Sequence, residues 1–282
     1  PSPYERHVFH ISDEGGASTR VTTLPGQHRP YPSPDGMRVA LLHNSDLSPT
    51  ELYLMDTRDG LLETQITISP NSEFMDRSWV KPRYATFKSQ IDDYTLHARI
   101  LEPANIKRGK RYPVIFGPAY SNTVRNRWAG TIGLLQQLLV ERGYIVIQVD
   151  IRGSTGYGRE FREEFLMDFA GNDIEDLESA VNYLSTLPYV DPERIGIWGS
   201  SYGGTLTIYS LFKKPGLFKA GVAGAAAVDP YFFGTDDVAI VRRPESHPEA
   251  FTRGALQYAD NLEDHLLIIH GMQDHVVPFK TV

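Results

Sequence analysis

Cysteine is absent from these 282 residues, which removes disulfides, thiolate nucleophiles and cysteine-ligated metals together. The compartment stays open, since secreted chains can also lack cysteine. No apolar run reaches the length of about 18 residues that a transmembrane helix needs. No block of Lys and Arg stands out and the formal net charge is −7, which argues against a nucleic-acid partner. The chain opens Pro1-Ser2-Pro3-Tyr4, with neither Met nor a signal-like apolar stretch. Either a leader has been removed or the chain begins partway through a longer protein. What is present is ordinary for a globular protein with a sizeable core, at 41% hydrophobic and 22% charged residues. Length alone allows one large domain or two.

Residues 1–67 hold an internal repeat. His7-Val8-Phe9-His10-Ile11, Gly15-Gly16 and Ser18-Thr19-Arg20-Val21-Thr22 return as Glu51-Leu52-Tyr53-Leu54-Met55, Gly60 and Glu63-Thr64-Gln65-Ile66-Thr67. Ser33-Pro34-Asp35-Gly36 between the copies is a turn leading into a strand from Met37 to Leu42. The offset is about 44 residues, and short strands at a period of about 40–50 mark propeller blades. One whole blade and part of another are present, against the roughly four to eight that close a ring. Earlier blades are therefore expected outside the chain, which favours a start partway through a longer protein. A small stand-alone β domain is the alternative. The expected organisation is propeller blade over 1–70, a linker rich in Pro, Asn and Ser over 71–84, and a catalytic domain over 85–282.

Tyr84–Lys88 and Tyr94–Leu101 read as antiparallel strands around Asp92-Asp93. From Tyr112 onward strand and helix patterns alternate, which predicts a doubly wound α/β fold with a mostly parallel sheet. The strands Val114–Phe116, Tyr144–Val149, Ile195–Trp198, Ala220–Ala223 and Leu266–Ile269 are short and continuously apolar. Such runs fit strands buried on both faces. Helices are expected over 130–142 and 173–187, the second with acids in its first turn and Ile174, Leu177, Val181 and Leu184 along one face.

The chemistry centres on Gly199-Ser200-Ser201-Tyr202-Gly203-Gly204, between an apolar strand ending at Trp198 and an apolar helix from Thr205. A strand-to-helix turn with flanking glycines makes G-x-S-x-G a nucleophile elbow, with Ser201 as the nucleophile. The acid of a triad on this topology follows on the loop after a later strand, where Asp274 stands beyond Leu266–Ile269. The base should come later still, and only His275 does, with its ring directed away from the neighbouring carboxylate. His270 ends a strand and His265 leads into one, so neither is assigned, and the histidine is expected beyond Val282. One oxyanion donor would be the Tyr202 backbone N–H; a Tyr120 hydroxyl after the first core strand would supply the second. Asp150-Ile151-Arg152-Gly153-Ser154-Thr155-Gly156-Tyr157-Gly158 lacks the G-x-G-x-x-G order of a dinucleotide turn and reads as a structural loop near the site. Tyr231-Phe232-Phe233 is either core or the lining of a hydrophobic side-chain pocket.

Tyr112-Pro113-Val114, Asp150–Gly158, Gly196–Gly204 and His270-Gly271-Met272-Gln273-Asp274, in this order behind a propeller-like repeat, resemble the prolyl oligopeptidase family of serine peptidases. The branch is that of dipeptidyl peptidase IV and acylaminoacyl peptidase. The resemblance implies an α/β-hydrolase fold preceded by a partial β-propeller, Ser201 as nucleophile, Asp274 as acid, and a histidine about 25–40 residues further on, outside this chain. It implies that Tyr202 serves the oxyanion hole and a proline-accepting pocket, and that Phe232, Val277 and, less closely matched, Phe233 line that pocket. Tyr120 matches the oxyanion tyrosine on a loop one residue longer than the family's. Val277-Pro278 looks like the acylaminoacyl peptidases and Phe232-Phe233 like the dipeptidyl peptidases, so the subfamily stays open. The paired glutamates that hold a substrate's free amino terminus lie in a part of the propeller that this chain does not include.

The expected activity is hydrolysis of short peptides, after proline or another small apolar residue, through an ester on Ser201. No metal or organic cofactor is implied, a short peptide is the expected partner, and self-association stays open. A carboxylesterase on the same fold and a non-catalytic binding homologue without its base are the rival readings.

Overall fold

Prolines and turn signals break the first part of the chain into short antiparallel strands. In the computed structural model, which describes residues 2–57, 63–230, 243, 245–252 and 254–281, residues 1–82 and 125–138 form one unit and residues 83–124 and 139–282 another. In the first unit, β1 (Phe9–His10) pairs with β2 (Thr19–Arg20). A four-stranded antiparallel meander follows: β3 (Gln27–Pro32), β4 (Arg38–Ser45), β5 (Ser48–Asp56) and β6 (Glu63–Gln65). In the turn before β4, Gly36 N–H donates to the Ser33 carbonyl at 2.9 Å, and Ser33 Oγ and Met37 N–H reach Asp35 Oδ1. Val39, Leu41 and Met55 face inward with Val21 as a small core. The repeat points to β4, β5 and β6 but not to β3, whose Pro30 and Pro32 argue against a central strand. At the edge of the sheet a missing N–H costs no ladder bond. The strand expected over His7–Ile11 shrinks to two residues. α1 (Ser72–Asp76) is capped by Asn71, whose Oδ1 accepts the Phe74 N–H at 2.9 Å.

The second unit opens with the antiparallel pair β7 (Arg83–Lys88) and β8 (Thr95–Leu101). Then come β9 (Tyr112–Phe116), α2 (Thr131–Glu141), whose first residues belong to the other unit, β10 (Ile145–Asp150), α3 (Arg159–Glu163), α4 (Asn172–Ser185), β11 (Val190–Ser200), α5 (Tyr202–Lys213), β12 (Ala220–Gly224) and β13 (His265–Ile269). They build a seven-stranded sheet in the order β13-β12-β11-β9-β10-β8-β7. β8 is antiparallel to β10, and the pairs β10–β9, β9–β11, β11–β12 and β12–β13 are parallel. This is the expected α/β-hydrolase architecture. β10 is buried along its whole length, and Ile174, Leu177, Val181 and Leu184 of α4 join the same core as α5, which is buried nearly all round.

β13 is the last strand of the described order: among the described residues nothing pairs with its outer side, and Leu267, Ile268 and Ile269 are 55%, 44% and 57% exposed. Among the described residues, no helix is long and apolar enough to cross a membrane.

Candidate active site

The elbow forms where β11 ends and α5 begins. Ser201 takes φ 58°, ψ −126°, a strained combination for a residue with a side chain. Close approach explains the flanking glycines: a Cβ on Gly199 would strike the Gly203 backbone, and one on Gly203 would strike the Ala119 carbonyl. The Ser201 N–H donates to the Gly224 carbonyl at 2.9 Å, and its own carbonyl accepts the Thr205 N–H at 3.0 Å. The turn is thereby fixed from both sides, while Oγ has no hydrogen-bond partner among the described residues. The Tyr202 N–H lies in the first turn of α5, where helical amides have no intrahelical acceptor. The helix N-terminus adds partial positive charge at that point.

The loop after β9 is clamped against the elbow. Gly117 N–H donates to the Ile147 carbonyl and Ala119 N–H to the Trp198 carbonyl, each at 2.8 Å. Tyr120 follows, 39% exposed, with its ring edge-on to Tyr202 at 6.2 Å. The Asp150 to Gly158 loop holds the far side of this segment. Asp150, fully buried, accepts the Thr123 and Val124 N–H groups at 2.6 and 2.9 Å, and its other oxygen accepts the Tyr157 hydroxyl at 2.8 Å. Ser154 Oγ accepts the Asn122 N–H at 3.1 Å, and Asn122 Oδ1 accepts the Thr155 N–H at 2.7 Å. Arg152, buried, donates to both oxygens of Asp176 at 3.0 and 2.8 Å and to Asp92 at 3.0 Å. The loop is a scaffold for the Tyr120 segment.

The carboxyl ends of β11, β12 and β13 are level, with Ser200 paired to Gly224 and Gly224 to Ile269. At about 4.8 Å between strands, the loops leaving β11 and β13 stand roughly 10 Å apart on one sheet edge. Asp274 sits in the second loop. Its Oδ1 accepts the Val277 and Val276 N–H groups, each at 2.9 Å, and these two bonds hold its carboxyl below the usual Asp range. His270 Nε2 bonds the Val277 carbonyl at 2.7 Å and lies 3.8 Å from Asp274 Oδ2, and its ring is buried. That ring is tied through Nε2 to the Asp274 loop. The side chain of Val277 is buried beneath this loop. Phe232 and Phe233, with Tyr231, lie outside the described residues.

A contact unforeseen from the sequence lies behind Tyr202. Its phenol donates to the buried carboxylate of Asp173 in the first turn of α4. Phe169 packs edge-on against the same ring at 5.2 Å. In the sequence Asp173 is only an acid at a helix start, because nothing local announces a bond to a residue so distant along the chain.

A serine on a strained turn at the carboxyl edge of a mostly parallel sheet, with an acid two strands away, places this unit in the α/β-hydrolase class. A profile of the prolyl oligopeptidase family matches residues 132–282, and the chain belongs to that family. It is 29% identical over 213 residues to dipeptidyl peptidase 8 of Homo sapiens, covering 71% of this chain and 23% of that protein. It is 30% identical over 288 residues to a probable dipeptidyl-aminopeptidase B of Aspergillus oryzae, covering 97% and 31%. The crystal structure of Porphyromonas gingivalis dipeptidyl peptidase 4 matches with a TM-score of 0.89 at 28% identity, covering 99% of this chain and 40% of that one. The chain thus spans well under half the length of these relatives.

Proposed function

We propose that this chain carries the nucleophile and the acid of a serine peptidase that cleaves short peptides. The observation that carries the reading is Ser201 at a strained elbow, its Oγ without a partner among the described residues, beside the Tyr202 N–H and the Tyr120 loop. In this mechanism Ser201 Oγ attacks the scissile carbonyl carbon while its proton passes to an imidazole oriented by Asp274. The carbonyl oxygen becomes an oxyanion, held by the Tyr202 N–H and the Tyr120 hydroxyl. The C–N bond then breaks, the imidazole returns the proton to the departing amine, and an acyl ester remains on Ser201. Water, deprotonated by the same imidazole, hydrolyses the ester. His270 Nε2 is taken up by the Val277 carbonyl, and the proposal assigns the role of base to a histidine past Val282.

The names of the relatives extend the proposal to release of dipeptides from the amino terminus, with Tyr202, Val277, Phe232 and, with less support, Phe233 lining the pocket for the residue before the cut. The test is turnover by the full-length protein of a proline-linked dipeptide amide, the same amide with its amino terminus blocked, and a simple acyl ester. Preference for the free amide supports the reading. Turnover of the ester alone would identify a carboxylesterase, and equal turnover of the two amides would remove the dipeptidyl assignment.

A further inference from the structure

We propose that Asp173 is a positioning residue for the reaction at Ser201: its carboxyl fixes the Tyr202 phenol and, through it, the ring and backbone N–H beside the nucleophile. The inference rests on the reading of Ser201 as nucleophile. Tyr202 is the next residue in the chain, so a displacement of its ring passes directly to the amide that faces the developing oxyanion. The phenol oxygen is held twice, donating to Asp173 and lying 3.5 Å from the Ala170 N–H. Two further rings pack edge-on against the Tyr202 ring, Phe169 at 5.2 Å and Tyr120 at 6.2 Å.

The segment that brings these partners in is itself strained. Met167 and Ala170 have φ of 65° and 49°, in the left-handed region that non-glycine residues avoid. It is tied down at both ends, by Lys213 Nζ on the Ala170 carbonyl at 2.6 Å and by the Asn172 N–H on Asp168 Oδ2 at 2.7 Å. Strain of this kind persists only where surrounding contacts over-determine it, and it collects at functional sites.

Asp173 is a poor choice for packing alone. It is 1% exposed, its Oδ1 has no hydrogen-bond partner among the described residues, and its neighbours on α4 include Ile174 and Leu177 in the core. An apolar residue there would avoid the desolvation of an acid. Burial raises its carboxyl, the Tyr202 phenol pulls it back and the charges of Asp176 and Asp168 add to the rise, so that it stands pushed up to about 7. The bond to the phenol is the interaction that an apolar residue could not supply.

The test uses the full-length protein with Asp173→Ala, Asp173→Asn and Tyr202→Phe. Turnover of a proline-linked dipeptide amide, the rate of fluorophosphonate labelling and the melting temperature are read for each. A misplacement of about 1 Å at a reacting centre costs on the order of 100-fold, so Asp173→Ala and Tyr202→Phe are expected to lower kcat and the labelling rate about 10- to 100-fold, with KM moving less. Asp173→Asn keeps a carbonyl acceptor and should recover most of the loss. If Asp173→Ala does not fold, Tyr202→Phe, which removes one oxygen, decides the question. A kcat within about twofold of wild type in Tyr202→Phe, or equal losses in the Ala and Asn variants, overturns the proposal. An infrared carboxyl band that is missing from Asp173→Asn and shifted in Tyr202→Phe tests the pair without reference to activity. A wild-type protein that neither labels nor cleaves would fell the nucleophile reading and leave the pair nothing to position; an unshifted band would fell the pair itself.

Discussion

The Ser201 and Asp274 halves of the candidate site are held by different kinds of contact. The Ser201 side is enclosed: α5 is buried nearly all round, Gly203 touches Ala119, and Asp150 fixes the backbone that follows Tyr120. The Asp274 side is set more locally, its carboxyl accepting from two neighbouring amides of its own loop. A strained serine needs surroundings that refuse to relax, whereas a loop acid needs only local hydrogen bonds to hold its orientation. Substitutions that crowd the packing or remove a buried acceptor should therefore cost more stability around the elbow than around Asp274.

The largest effect should come from Gly203→Val, which drives a branched side chain into the Ala119 carbonyl. A loss of about 4–5 kcal/mol, read from chemical denaturation, is expected. Next is Asp150→Ala, which leaves the Thr123 and Val124 amides and the Tyr157 hydroxyl without their acceptor. It should cost ~3 kcal/mol and speed hydrogen exchange at those two amides. Asp173→Asn should act through pH. The folded-state value of Asp173 is raised from 3.8 to about 7, so the folded protein binds more protons than the unfolded one between those values. The contribution of this group therefore falls as pH rises from about 4 to about 7, and the Asn variant should flatten that part of the stability profile. The smallest stability effect belongs to the acid side: Asp274→Asn, which keeps an oxygen acceptor for the Val276 and Val277 amides, should stay within ~1 kcal/mol of wild type while lowering turnover. A larger loss there would erase the contrast between the two halves.

Much of this was legible in the residues, for physical reasons. Gly199, Ser201 and Gly203 stand out because the steric demands of an elbow are local, and a strand and a helix flank them in the sequence itself. The turn at Ser33-Pro34-Asp35-Gly36 is legible for the same reason. Triad order on this topology led to Asp274 and the loop after the first core strand to Tyr120, and the structure sets both in loops at the same sheet edge as the elbow. β3 was hidden by its prolines, which only its edge position tolerates. Asp173 was hidden because its partner is a residue on another element, and a helix-start acid is a common feature with a common explanation.

The central claim is that Ser201 is the nucleophile. It is tested most directly by treating the full-length protein and its Ser201→Ala variant with a fluorophosphonate and mapping the adduct by peptide mass spectrometry. The account predicts one adduct, on the peptide containing Ser201, absent from the variant. A folded wild-type protein that takes no label, or labelling that persists in the variant at another serine, would contradict it.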